Sequence, residues 1–168
     1  MKSDAPGFTV RRATAEDVDE IFRLTNLMAK RGLMLPRSKY KIVTRLTGFF
    51  VVVDEEDVIA ACGALVPLWT DMGEIMSLAV KDEYQGRGVG KKLVDALLDE
   101  GRRLKMPEII TLTYQVDFFT KMGFTVVDKD RFPRKLWREC LDCPKLEECD
   151  ETAMHLHLRS EGKNNTER

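Results

Sequence analysis

The period of the apolar positions changes several times along the chain, and each change marks an element. Phe8 to Arg12 alternates and predicts a first strand. Val18, Ile21, Phe22, Leu24, Leu27 and Met28 recur at the spacing of one helix face, through Ala29. Thr14 precedes that run with Asp17 three residues on, close to a capping box, and Gly32 supplies a stop. Pro36 then interrupts the chain, and Ser38 is placed to cap a second helix carrying Tyr40, Ile42, Val43 and Leu46. Phe49 to Val53 is a continuous β-rich run. Asp54 to Asp57 reads as a tight turn, Val58 to Leu68 as a strand returning antiparallel, and Glu74 to Val80 as the next strand after a turn at Thr70 to Gly73. Gly88 to Lys105 is helical, with Val89, Leu93, Val94, Leu97, Leu98 and Leu104 on one side. A strand over Glu108 to Thr113, a short helix over Val116 to Met122 ended by Gly123, and a strand over Phe124 to Val127 follow. Thr152 to Leu158 sets Met154, Leu156 and Leu158 against His155 and His157, the pattern of a half-buried final strand.

The order is β, α, α, three antiparallel strands, then α, β, α, β and a late β, without an internal repeat. The 168 residues suit one domain, expected over 8–158, with a polar, cysteine-containing excursion at about 128–151 and a disordered tail over 159–168. Apolar residues are 43% and charged residues 33%, a globular balance. The formal net charge of -1 leaves no electrostatic footprint for nucleic acid or an anionic membrane. No apolar run reaches the roughly 20 residues of a membrane span, and Met1 to Val10 lacks the apolar stretch of an export signal. A cytoplasmic location is therefore expected, with cysteines as thiols or metal ligands before disulfides.

Candidate chemistry concentrates where the Glu74–Val80 strand turns into the Gly88 helix. Gly86, Gly88 and Gly90 let the backbone approach a ligand. The first-turn amides of the helix, with the positive end of its dipole behind them, suit a pyrophosphate. Arg87, Lys91 and Lys92 add positive charge. Such a turn can also be a tight connection that binds nothing. The P-loop is excluded, because no Lys-Ser or Lys-Thr pair follows, and the G-x-G-x-x-G fingerprint does not fit glycines at 86, 88 and 90.

Gln85-Gly86-Arg87-Gly88-Val89-Gly90 resembles the acetyl-CoA signature of the GNAT N-acetyltransferases, Gln/Arg-x-x-Gly-x-Gly/Ala, in complete form. The element order resembles the GNAT fold from about Phe8 to Leu158, and Gly123-Phe124 after a short helix matches another family feature. The resemblance implies an α/β (α+β) fold, with a central, mostly antiparallel mixed sheet flanked by helices. It implies acetyl-CoA as cosubstrate, held by Leu78, Ala79 and Val80 at the pantetheine arm and by Gln85, Gly86, Arg87, Gly88, Val89, Gly90 and Lys91 at the pyrophosphate.

Three further segments, Lys30 to Ser38, Thr111 to Phe124 and Phe132 to Trp137, look like the acetyltransferase domain of N-acetylglutamate synthase in its short stand-alone bacterial form. That resemblance implies acetylation of the α-amine of glutamate, the first step of arginine biosynthesis, by direct attack on the thioester. Two carboxylates call for fixed cations, and a guanidinium binds a carboxylate bidentately. Leu35 and Arg37 are expected at one carboxylate and Arg134 or Lys135 at the other, with Lys30 and Arg31 behind. Each of these cations could instead be a solvated surface charge. Glu74 is expected as the base, and the backbone N–H near Leu78 to polarise the thioester carbonyl. Many GNAT enzymes carry a tyrosine where this chain has Phe119, so the acid for the CoA thiolate is missing or comes from elsewhere, Tyr114 being a nearby hydroxyl.

Cys140, Cys143 and Cys149 lie within ten residues. They could hold zinc with His155 or His157, another metal, a disulfide, or nothing. Cys62 in its apolar strand reads as a small buried hydrophobe. Two other functions stay open: acetylation of another small amine or a protein N-terminus, and a non-catalytic acetyl-CoA sensor. The expected partner is a small-molecule substrate, with a homodimer as an open option.

Overall fold

The computed structural model describes residues 5–132 and 150–159. Strand β1 is Thr9–Arg12, and a single 3-10 turn over Ala15–Asp17 leads into helix α1, Val18–Lys30. Helix α2 is Lys39–Thr44, and the meander that follows comprises β2 (Phe49–Val53), β3 (Ile59–Pro67) and β4 (Met72–Val80). Then come α3 (Val89–Arg103), β5 (Glu108–Thr113), α4 (Val116–Lys121), β6 (Thr125–Val126) and β7 (Thr152–His157). The strands form one seven-stranded sheet in the order β1-β2-β3-β4-β5-β7-β6. Every pairing is antiparallel except that of β4 with β5.

Strand β2 explains how the sheet is covered on both faces. Its five residues are all buried, with Phe49, Val51 and Val53 in one apolar cluster and Phe50 and Val52 in another. That is the period-2 alternation of a strand. On the first face Ile21, Leu24 and Met28 of α1 and Ile42 of α2 pack over Val51, Cys62 and Met76. On the second, Leu93, Val94 and Leu97 of α3 pack over Val52, Leu65 and Ile75. Helix α3 lies close because Gly63 has no side chain: a Cβ there would come within 3.0 Å of Leu78 and 3.3 Å of Leu93.

The β4–β5 junction positions the site. Their register is Met72↔Glu108, Gly73↔Ile109 and Glu74↔Ile110, and there it ends. At the next step the Thr111 hydroxyl donates to the Ile75 carbonyl (2.9 Å, buried). Beyond that pin β4 runs on to Val80 with only β3 as a partner strand. The sheet therefore splits on the C-terminal side of Glu74. Within β4 the β3 register also slips between Cys62 and Ala64, and Ser77 adopts φ 55°. Left-handed backbone is uncommon for a residue with a Cβ, and it marks Ser77 as the extra residue of a bulge.

Most predicted boundaries lie within two residues of the observed ones. Strand β4 begins at Met72, two residues before the expected Glu74, because the amides of Leu68 and Trp69 both donate to the Met72 carbonyl and close the turn early. Strand β6 is short because Phe124 is drawn into the core, its amide on the Phe119 carbonyl.

The entry to α1 is held by a charge. Asp17, 6% exposed, accepts from the Thr14 amide (2.7 Å) and from both ends of the Arg11 guanidinium (2.7 and 2.9 Å). The hydrogen bond from Arg11 holds its carboxyl below the usual aspartate range against the opposing effect of burial. A folded pKa below the unfolded one stabilises the fold above the unfolded value and loses that contribution as pH falls through the folded value. Stability is therefore expected to decline below about pH 4. Asp17→Asn should cost about 1–3 kcal/mol at neutral pH, a deficit that narrows in acid. Urea unfolding at pH 7 and pH 3.5 checks this; an equal deficit at both would sink it.

Candidate active site

The turn after β4 is braced from several sides. Gln85 Nε2 donates to the Val80 carbonyl (3.3 Å) and to Asp82 (3.2 Å), and Asp82 takes both ends of the Arg31 guanidinium at 2.9 Å. Those two guanidinium bonds hold the Asp82 carboxyl below its ordinary range. Arg31 thus ties α1 to this turn, which corrects its expected place behind the acceptor carboxylates. Gly86 (φ 73°) and Gly88 (φ 77°) occupy left-handed backbone, the latter as the N-cap of α3. Glycine reaches that region without the Cβ clash that other residues meet. Gly90 is at ordinary backbone angles, and a Cβ there would meet the Phe118 ring at 3.4 Å, an ordinary packing distance. Lys92 N–H is bonded to Gly88 O (3.0 Å), the first helical hydrogen bond of α3, so the preceding amides stand at the N-terminal opening.

The nearby cations are partly committed. The Arg87 guanidinium lies 4.8 Å from the centre of the Phe8 ring and 5.7 Å from that of Tyr84, and Lys91 pairs with Asp95 (2.9 Å). The split brings Leu78, Ala79 and Val80 of β4 alongside this opening, so a strand edge and a helix N-terminus converge. This arrangement fits the thiol arm and pyrophosphate of acetyl-CoA. The Val80 carbonyl, one of the expected pantetheine contacts, already accepts from Gln85.

The acceptor side is built from the α1–α2 connection. Leu35 and Arg37 are half-buried there. Asn26 of α1 donates to the Arg37 carbonyl (2.9 Å), and Arg37 Nε donates to the Ser77 hydroxyl (3.2 Å). Arg37 is thereby fixed beside the bulge, one residue from Leu78. Glu74, 7% exposed, is the last β4 residue with a β5 partner and so stands where the strands part. By alternation it shares the face of Met76, which packs on the α1 side where Arg37 arrives. The structure thus brings Glu74, Leu78 and Arg37 together around the split. Sequence reasoning did not single out Ser77 or Asn26. The available signal was a serine inside an apolar strand.

Phe119 is 2% exposed and stacks edge-on with Phe118 and Phe124, so this position is a core contact with no hydroxyl. The Tyr114 hydroxyl donates to Asp150 (2.5 Å). Cys62 is fully buried, and burial pushes its thiol up to about 12, which makes it unreactive. Arg134, Lys135, Cys140, Cys143 and Cys149 lie outside the described residues. Both His155 and His157 engage the Glu108 carboxylate. Among the described residues no group of three or more His, Cys, Asp or Glu is arranged to hold a metal ion, and no helix is long and apolar enough to cross a membrane.

Comparison with known proteins agrees with this geometry. The model of the acetyltransferase (GNAT) family matches residues 15–124. An uncharacterized N-acetyltransferase of Chlorobaculum tepidum is 38% identical over 149 residues, 86% of this chain and 93% of that protein. An amino-acid acetyltransferase of Mycobacterium tuberculosis is 34% identical over 121 residues, 71% of this chain and 69% of that protein. Among solved structures, a Mycobacterium tuberculosis protein in complex with CoA and a second ligand, NLQ, superposes with a TM-score of 0.78 at 27% identity, covering 90% of this chain and 99% of that one. N-acetylglutamate synthase from Neisseria gonorrhoeae, complexed with coenzyme A and N-acetyl-glutamate, shares the fold at TM-score 0.79 and 23% identity; the match covers 90% of this chain but 35% of that one.

Proposed function

The chain belongs to the GNAT acetyltransferase family, and from that premise we propose that it transfers the acetyl group of acetyl-CoA to the α-amine of glutamate, the reaction that opens arginine biosynthesis. The observation that carries the reading is Arg37, held by its contact with Ser77 next to the split in which the thioester would lie. A fixed guanidinium there selects a carboxylate-bearing amine. The amino-acid acetyltransferase relative supports the same substrate class.

In this mechanism acetyl-CoA lies along Leu78, Ala79 and Val80, with its pyrophosphate over Gln85 to Lys91. Arg37 and the backbone at Leu35 take one carboxylate of glutamate, and Arg134 or Lys135 the other. Glu74 receives the ammonium proton through water. The neutral amine attacks the carbonyl carbon while the Leu78 N–H stabilises the developing oxyanion. The C–N bond forms, the C–S bond breaks, the nitrogen gives up its second proton to solvent water, and CoA leaves as the thiolate. With Phe119 in place of a phenol, no proton is supplied from that position, and a thiol of pKa near about 8.5 can depart without one.

Thiol release from acetyl-CoA against a panel of amino acids tests the proposal. Glutamate-dependent release is expected. Release with a different amine would overturn the substrate. Tight CoA binding without turnover of any amine would favour the sensor reading, which the buried Phe119 makes worth separating.

A further inference from the structure

We infer that the Ser77 side chain is a positioning residue for substrate selection: its hydroxyl aligns Arg37, and through it the distance between the carboxylate-binding cation and the reacting carbonyl. The inference rests on the glutamate reading.

It starts from strand alternation. Ile75 packs on the α3 side and Met76 on the α1 side, so a regular strand would turn residue 77 toward α3 and residue 78 toward α1. Instead Leu78 packs with the α3 cluster and Ala79 with the α1 cluster. One residue has been inserted, and it is Ser77, at φ 55° where the β3–β4 register slips. Left-handed backbone is unfavourable for a non-glycine residue, and here it occurs where a polar side chain is 8% exposed. The hydroxyl accepts from Arg37 Nε at 3.2 Å.

The consequence is geometric. Arg37 belongs to the α1–α2 connection, a segment without strand or helix of its own. Its backbone is tied to α1 by Asn26 and its side chain to β4 by Ser77. Ser77 immediately precedes Leu78, whose amide faces the thioester in the proposed mechanism. One bulged residue therefore links the cation that recognises the acceptor to the strand that holds the donor. A long, flexible arginine is useful for selection only when its orientation is set in advance.

Ser77→Ala and Ser77→Gly test this, each alone and with Arg37→Ala. Both remove the hydroxyl, but glycine also relieves the backbone, so a fault of strain would separate them. The expected result is a KM for glutamate raised about tenfold in both, the size one charge-assisted hydrogen bond supports. The kcat should stay within about threefold and the Kd for CoA should be unchanged. In the double variants the loss should be no greater than for Arg37→Ala alone, because Ser77 acts through that residue. A wild-type KM in Ser77→Ala, or losses that add to those of Arg37→Ala, would overturn the inference while wild-type glutamate turnover still stood. Failure of the wild-type protein to acetylate glutamate would overturn the glutamate reading first and this inference with it.

Discussion

Glu74→Gln is expected to lower kcat for glutamate acetylation by about 10²–10⁴-fold, the range a single general base contributes. The substitution keeps the shape of a side chain that is 7% exposed at the parting of β4 and β5. It removes only the capacity to take a proton. Acetyl-CoA and glutamate should still bind, so both KM values should move little. Raising the pH should narrow the gap, because more of the substrate then arrives as the neutral amine and needs no base. Single-turnover thiol release across a pH series checks both statements. A kcat within threefold of wild type at neutral pH would remove Glu74 from the mechanism.

The second large effect is expected at Arg37, beside the bulge in β4. Arg37→Ala should raise the KM for glutamate about 10²-fold or more, since truncating one member of a desolvated charge pair costs about 2–5 kcal/mol. The Kd for CoA should be unchanged, because the Arg37 guanidinium engages β4 at Ser77, outside the turn proposed for the pyrophosphate. Arg37→Lys should recover only part of the loss: an ammonium supplies charge but not two parallel N–H bonds, and its shorter reach abandons the Nε contact. Steady-state kinetics with glutamate, glutamine and alanine would reveal the role. If Arg37→Ala also weakened CoA binding or lowered the unfolding midpoint, the arginine would be supporting the fold and not selecting the substrate.

The elements themselves were legible along the chain because each carries a local signal. The alternation of β2, the one-sided apolar stripe of α3, the cap at Ser38 and the left-handed glycines at 86 and 88 all depend on neighbours within a few residues. The turn proposed for the pyrophosphate is local in the same sense, one strand end and one helix start joined by glycines. It was therefore readable before any tertiary contact was known.

The acceptor side is different in kind. Arg37 and Ser77 are 40 residues apart, and Thr111 and Ile75 are 36 apart. No periodicity joins either pair. Arg31 shows the same gap from the other direction, for its neighbours in sequence placed it with Arg37 whereas packing gave it to Asp82, 51 residues away. By itself the sequence determined which segments become strands and helices and where a phosphate-bearing ligand could be cradled, because backbone conformation and capping are settled within a turn or two of chain. Only the tertiary structure decided where the sheet splits, which cation stands beside the split, and that a bulge at Ser77 holds it there. Those depend on strand register and on contacts closed across loops of tens of residues, whose free energy appears only once both faces of the sheet are packed.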